Sequence, residues 1–176
     1  MKSKIRKCGV IFIILFSTIL LISLSSLCET LTAGKKAPGF YLTTLEGEKI
    51  YLSDLLKEQN VVLINFFRTD CKPCIKEFPL LHDMQKDFKN KKVKMFLIDV
   101  EEKDEIVTKF IKEKNITIPV LLDTYKEIFT TYSSEQKVPQ IFVIDKTGIV
   151  KYIHQKGIDV KEAKDIESLI ENLIKN

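Results

Sequence analysis

Residues 61–74, Val61-Val62-Leu63-Ile64-Asn65-Phe66-Phe67-Arg68-Thr69-Asp70-Cys71-Lys72-Pro73-Cys74, join two kinds of order. The first seven form a nearly continuous apolar run dense in β-branched and aromatic side chains, the pattern of a strand covered on both faces. Beyond them, residues 72–88 place Ile75, Phe78, Leu81, Met84 and Phe88 at the spacing of one helical face. Cys71 and Cys74 therefore stand where a mid-sheet strand passes into a long helix. A sulfur at the helix N-cap faces unpaired N–H groups and the positive end of the dipole, which favour thiolate over thiol. Pro73 is tolerated within the first turn, where its missing donor has no intrahelical partner. Cys74, three residues on, can reach back to Cys71 while lying deeper beneath the helix start. This arrangement predicts one cysteine that attacks and one that resolves.

Outward from this junction the chain alternates strands and helices. Residues 40–42 and 49–52 flank the turn signal Glu46-Gly47 and suggest a small strand pair, followed by a short helix over 54–57 capped by Ser53. Residues 93–100 and 118–122 read as strands, with helices over 104–114 and 125–132. Residues 141–145 and 149–153 flank Lys146-Thr147-Gly148, a hairpin signal, and 161–174 is an amphipathic closing helix. The order implies an α/β fold, a mixed central sheet with helices on both faces.

The N-terminus has a different character. Residues 9–27 are uncharged and mostly apolar, behind Lys2, Lys4, Arg6 and Lys7, and are long enough as a helix to cross a hydrocarbon core of ~30 Å. Residues 1–28 are read as a signal peptide or membrane anchor, 29–39 as a linker and 40–176 as the folded domain. A retained anchor, a cleaved signal and lipidation at Cys28 stay open, although Leu27 is large for the position before a lipidated cysteine. All three routes put the domain outside the cytoplasmic membrane. The charge agrees: of 28 Lys+Arg and 24 Asp+Glu, four bases and no acid lie in the first 28 residues, which leaves a formally neutral body. Such a body lacks the concentrated cationic face that nucleic-acid binding requires.

A C-x-x-C pair can also be half of a zinc site or two inert core cysteines. Zinc normally needs four ligands, and His82, His154, Cys8 and Cys28 form no second ligand pair. His82 and His154 read as solvated surface residues. A peroxidase would need a threonine three positions before its reactive cysteine, where Arg68 stands. A copper-holding dithiol module is the alternative from another class.

In these motifs the chain resembles the thioredoxin superfamily, and within it the TlpA/ResA-like extracytoplasmic thiol-disulfide oxidoreductases. The carriers are Ala37-Pro38-Gly39-Phe40, Leu52-Ser53-Asp54-Leu55, residues 61–66 leading to Cys71-Lys72-Pro73-Cys74, Glu77-Phe78-Pro79, and residues 138–145. The resemblance implies a thioredoxin-like fold and Cys71 and Cys74 as a redox-active disulfide, with no metal or organic cofactor. It implies that Pro139 is a cis-proline facing the sulfurs and that Val138, Pro139, Lys72 and Pro73 meet the substrate. Glu77, one turn beyond Cys74, takes the role of the glutamate that tunes the cysteines and moves a proton. The implied partners are protein thiols and disulfides, including those of apocytochromes, and a membrane thiol electron donor; the expected state is a monomer in the bacterial cell envelope. The chain departs from the family in having no tryptophan, with Phe67 and Asp70 at the usual places. It also lacks glycines over residues 132–137.

Overall fold

The computed structural model describes residues 30–175. The expected N-terminal signal or anchor helix lies outside them; among the described residues no helix is long and apolar enough to cross a membrane. Twelve elements follow in chain order: β1 (Tyr41–Thr44), β2 (Lys49–Tyr51), α1 (Leu52–Lys57), β3 (Val61–Phe67), α2 (Lys72–Phe88), β4 (Val93–Val100), α3 (Asp104–Lys114), β5 (Val120–Asp123), α4 (Glu127–Tyr132), β6 (Gln140–Ile144), β7 (Val150–His154) and α5 (Val160–Lys175). The seven strands form one mixed sheet in the order β2-β1-β5-β4-β3-β6-β7. β3, β4 and β5 run parallel, and β6 returns antiparallel along β3.

β3 is the strand that the apolar run demands, and all seven of its residues are buried. Alternation splits them between two cores. Val61, Leu63 and Phe67 pack with Phe78, Leu81 and Met84 of α2, Phe110 of α3 and Ile166 and Ile170 of α5. Val62, Ile64 and Phe66 face Leu52 and Leu55 of α1 and Phe129 and Tyr132 of α4. Both faces are therefore covered by helices.

Aromatic rings fill the space around the C-terminal end of β3. Phe67 meets Phe78 at 5.6 Å and Phe110 at 6.2 Å, so the position without tryptophan is held by a phenylalanine cluster. On the opposite face Phe66 meets Phe129 at 5.1 Å, Tyr132 at 5.7 Å and Phe142 at 5.9 Å. The Tyr132 hydroxyl donates to the Pro38 carbonyl at 2.6 Å, tying α4 to the segment ahead of β1. The stretch read as a linker is docked from Gly34 onward, where Gly34 N–H donates to Val150 O and Ala37 N–H to Gly148 O.

Two expectations change. Ser53 does not cap the first helix: α1 starts at Leu52, with Tyr51 at the N-cap and no side-chain cap. Leu52 is drawn into the helix because it is buried and its N–H is held by the Phe40 carbonyl at 3.1 Å. His154 is not a solvated residue. It is 9% exposed, its Nδ1 lies 3.2 Å from the Tyr152 hydroxyl, and Glu162 approaches Nε2 at 3.7 Å. Its position as the last residue of β7, opposite Ile141, turns it under the sheet edge.

Phe66→Ala should destabilise the domain by about 3–5 kcal/mol, because it empties the space between Phe129, Tyr132 and Phe142. A urea titration that shows less than about 1 kcal/mol of loss would mean that the cluster repacks without it.

Candidate active site

The end of β3 and the start of α2 hold the two sulfurs. Cys71 occupies the N-cap of α2 in extended conformation, and Cys74 N–H donates to its sulfur at 3.2 Å. The helix start thus offers that sulfur an otherwise unpartnered donor. Cys71 and Cys74 form a disulfide, with Cα atoms 5.3 Å apart. The two are unequal: Cys71 is half-buried, whereas Cys74 is 0% exposed. Pro73 and Lys72 occupy the exposed first turn.

Glu77, another of the sequence-predicted site residues, is drawn into the interior beside Cys74. It is 1% exposed and bridges two elements: Oε1 accepts from Asn65 Nδ2 at 2.6 Å and Oε2 from Ile158 N–H at 3.1 Å. Its carboxyl is pushed up to about 7, because burial raises it more than the two hydrogen bonds lower it. Glu77 is thus buried, with its carboxylate held by Asn65 and Ile158. The loop that supplies Ile158 lies over the helix start. A Cβ on Gly157 would stand at ordinary contact distance from Pro73 Cβ, 3.4 Å, and Glu77 Oε2, 3.8 Å, so this loop packs directly against both.

Val138 and Pro139 reach the same end of the sheet from β6. The Val138–Pro139 peptide is cis, and the β3–β6 register, Phe66 opposite Gln140, carries these residues toward the turn after β3. Pro139 is buried and Val138 half-buried. In place of glycines, the segment ahead of them is held by Gln140, whose amide donates to Ser133 Oγ at 2.6 Å and to the Lys137 carbonyl at 2.7 Å.

Electrostatics around Cys71 partly cancel. Asp70 would oppose a thiolate at Cys71, but its carboxylate is engaged by Arg68 Nε at 3.2 Å. Two acidic residues that the sequence reading did not single out complete the surroundings. Glu102 accepts from both the N–H and the hydroxyl of Thr69, and buried Asp99 accepts from Glu102 N–H. The available signal was a lone acid in the apolar run Met95-Phe96-Leu97-Ile98-Asp99-Val100. Among the described residues no group of three or more His, Cys, Asp or Glu side chains is gathered to hold a metal ion.

Comparison with known proteins agrees with this geometry. The sequence pattern of the AhpC/TSA family matches residues 33–153. The chain is similar to the thiol-disulfide oxidoreductase ResA of Bacillus cereus, 39% identical over 135 residues that make up 76% of this chain and 75% of the relative. ResA of Bacillus subtilis is 35% identical over 126 residues, 71% of this chain and 69% of that one. A solved structure assigned as the thiol:disulfide interchange protein DsbE of Chlorobium tepidum superposes with a TM-score of 0.74 at 26% identity, covering 82% of this chain and 99% of that one.

Glu77 makes a prediction about stability. Its carboxyl is harder to ionise in the folded chain than at its ordinary value of 4.5, so its contribution is fully present below about pH 4.5 and is lost as pH rises through about 7. At about 1.36 kcal/mol per pH unit, that interval corresponds to about 3 kcal/mol. Glu77→Gln should remove this fall. Chemical denaturation of wild type and variant at a series of pH values checks it, and parallel stability curves would show that Glu77 ionises in the fold as easily as in water.

Proposed function

The chain belongs to the AhpC/TSA family and, within it, to the ResA-type thiol-disulfide oxidoreductases, and we propose that it reduces disulfides of protein partners outside the cytoplasmic membrane. The observation that carries this reading is the unequal Cys71–Cys74 disulfide at the start of α2, one sulfur half-buried at the helix cap and the other fully buried.

The chemistry follows from that inequality. In the reduced protein the Cys71 thiolate attacks one sulfur of a substrate disulfide. The substrate S–S bond breaks, a mixed disulfide forms, and the departing substrate sulfur leaves as a thiolate that takes a proton. Cys74 then loses its proton and attacks the Cys71 sulfur, releasing the second substrate thiol and restoring the Cys71–Cys74 disulfide. The substrate has gained two electrons, and the protein must regain two from a donor; a membrane thiol carrier fits a protein placed outside the glutathione and thioredoxin pools.

Glu77 suits the second step. It sits one turn beyond Cys74 on the buried side of α2, and a carboxyl with a pKa of about 7 can accept a thiol proton near neutral pH and release it again. Val138 and Pro139 are proposed to receive the partner's backbone beside the sulfurs, with Lys72 and Pro73 forming the opposite wall. The basic cluster and long apolar run of residues 1–28 support export with the domain outside, anchored or released. Resemblance to ResA-like proteins supports apocytochrome cysteines as one substrate class.

Trapping tests the assignment. Cys74→Ser removes the resolving attack and leaves the first intact, so mixed disulfides with natural partners should accumulate through Cys71 on non-reducing gels of acid-quenched cells. Cys71→Ser should trap little. Trapping by Cys71→Ser alone would reverse the two roles, and trapping by neither variant, with no reductase activity in the wild type, would refute the oxidoreductase reading.

A further inference from the structure

Beside the dithiol lies a pair of ionisable groups that the exchange steps do not use. Glu102, half-buried just past the end of β4, accepts two hydrogen bonds from Thr69: the N–H to Oε2 and the hydroxyl to Oε1, both at 2.6 Å. Thr69 lies in the turn that Cys71 N–H closes onto the Arg68 carbonyl at 3.2 Å, so this carboxylate grips the turn that delivers Cys71 to the helix cap. Glu102 is itself held from behind, its N–H donating to Asp99 Oδ2 at 3.1 Å.

Asp99 is 0% exposed on β4, and its Oδ1 meets no donor. A buried carboxylate oxygen without a donor is costly, and the cost falls if the group carries a proton. Burial, and then the side chain of Glu102, disfavour a charge on Asp99. Two carboxylates have no proton to offer, so a hydrogen bond between these side chains requires one proton held between them. The other charge that reaches Asp99 is Arg68, from the turn after β3, which is already engaged by Asp70. The register neighbours Phe67 of β3 and Leu122 of β5 bring none, and Asp123 of β5 is occupied by the N–H groups of Ile128 and Phe129.

We propose that Asp99 and Glu102 are positioning residues that share one proton and use it to hold the turn at Arg68, Thr69 and Asp70 so that the Cys71 sulfur caps α2. The proposal rests on Cys71 as the attacking thiol. Burial first, then the hydrogen bond and charge of Glu102, push Asp99 up to about 8. The proton is in place near neutral pH, and its loss leaves two anions facing each other behind the turn.

The test uses the full chain in detergent, in the oxidised state, where neither active-site cysteine titrates. The Thr69 methyl resonance is followed from about pH 6 to about pH 10 and should show a step with a midpoint of about 8. Asp99→Asn keeps an oxygen for Glu102 N–H but carries no acid, and the step should disappear. No step in the wild type, or the same step in Asp99→Asn, would overturn the shared proton. If Asp99→Asn does not fold, Glu102→Gln, at a half-buried position, removes the second carboxyl; the step should then move to lower pH, and an unmoved midpoint would overturn the sharing. Thr69→Val then tests positioning without changing any charge. After reduction, alkylation of Cys71 by iodoacetamide at neutral pH should slow by about fivefold, the weight of one lost hydrogen bond. Unchanged alkylation would overturn the positioning role. Neither arm needs a protein substrate, so a failure to trap partners with both arms as expected would tell against the proposed function and leave the carboxyl pair standing.

Discussion

A strand buried on both faces ends at the point where the chain must turn back toward solvent, and the reactive sulfur is placed by that boundary. Every residue of β3 is out of water, so neither its register nor its direction can drift without exposing one of two cores. The helix that follows inherits that fixed origin. Its first turn offers N–H groups with no intrahelical partner, and Cys71 is delivered to them in extended conformation. Cys74, one turn on, is carried into the core by the same helix. The difference in exposure between the two sulfurs thus follows from their places on the helix, one at the cap and one on the buried side of the first turn.

The same burial puts polar groups at risk, and three side chains near the sulfurs show how the fold handles them. Asn65 points from β3 into the core and donates its amide N–H to Glu77 at 2.6 Å, while its amide oxygen is left without a donor. Glu77 is bridged in turn to the N–H of Ile158 at 3.1 Å. The strand, the cysteine-bearing helix and the loop before α5 are therefore joined through one carboxyl group. The bridge is strong enough to hold the groups and weak enough, against desolvation, to leave that carboxyl titrating at about 7. A carboxylate fully satisfied by donors would stay ionised and could not take up a proton near neutrality. Asp99, at the end of the neighbouring strand, is under the same desolvation with even fewer donors, and it too is pushed up, to about 8.

Much of the architecture was legible because hydrophobic period and turn chemistry are local. The spans of β3, α2, β4 and α3 follow from continuous or helix-spaced apolar residues, and the hairpin between β6 and β7 follows from Lys146-Thr147-Gly148, where Gly148 adopts a positive φ of 83°. Edges were less legible. The first helix was expected to begin after Ser53, but it begins at Leu52, since a long-range bond to Phe40 outweighs a local capping preference. His154 was misread for a related reason: nothing within a few residues of it reveals that it will be turned under the sheet edge against Tyr152 and Glu162.

By itself, the sequence determined the alternation of strands and helices, the junction that carries Cys71 and Cys74, and which of the two lies deeper, because each is fixed by residues within about two helical turns of one another. Glu77 was also nominated there, from its one-turn spacing to Cys74. Its environment was decided only by tertiary structure, because Asn65 is 12 residues away and Ile158 is 81 away in the chain. The grip of Glu102 on Thr69 spans 33 residues, and the orphaned oxygen of Asp99 exists only once β4 is sandwiched between β3 and β5. A side chain's protonation responds to solvent exclusion and to donors brought from distant segments, and neither is written in the local order of residues.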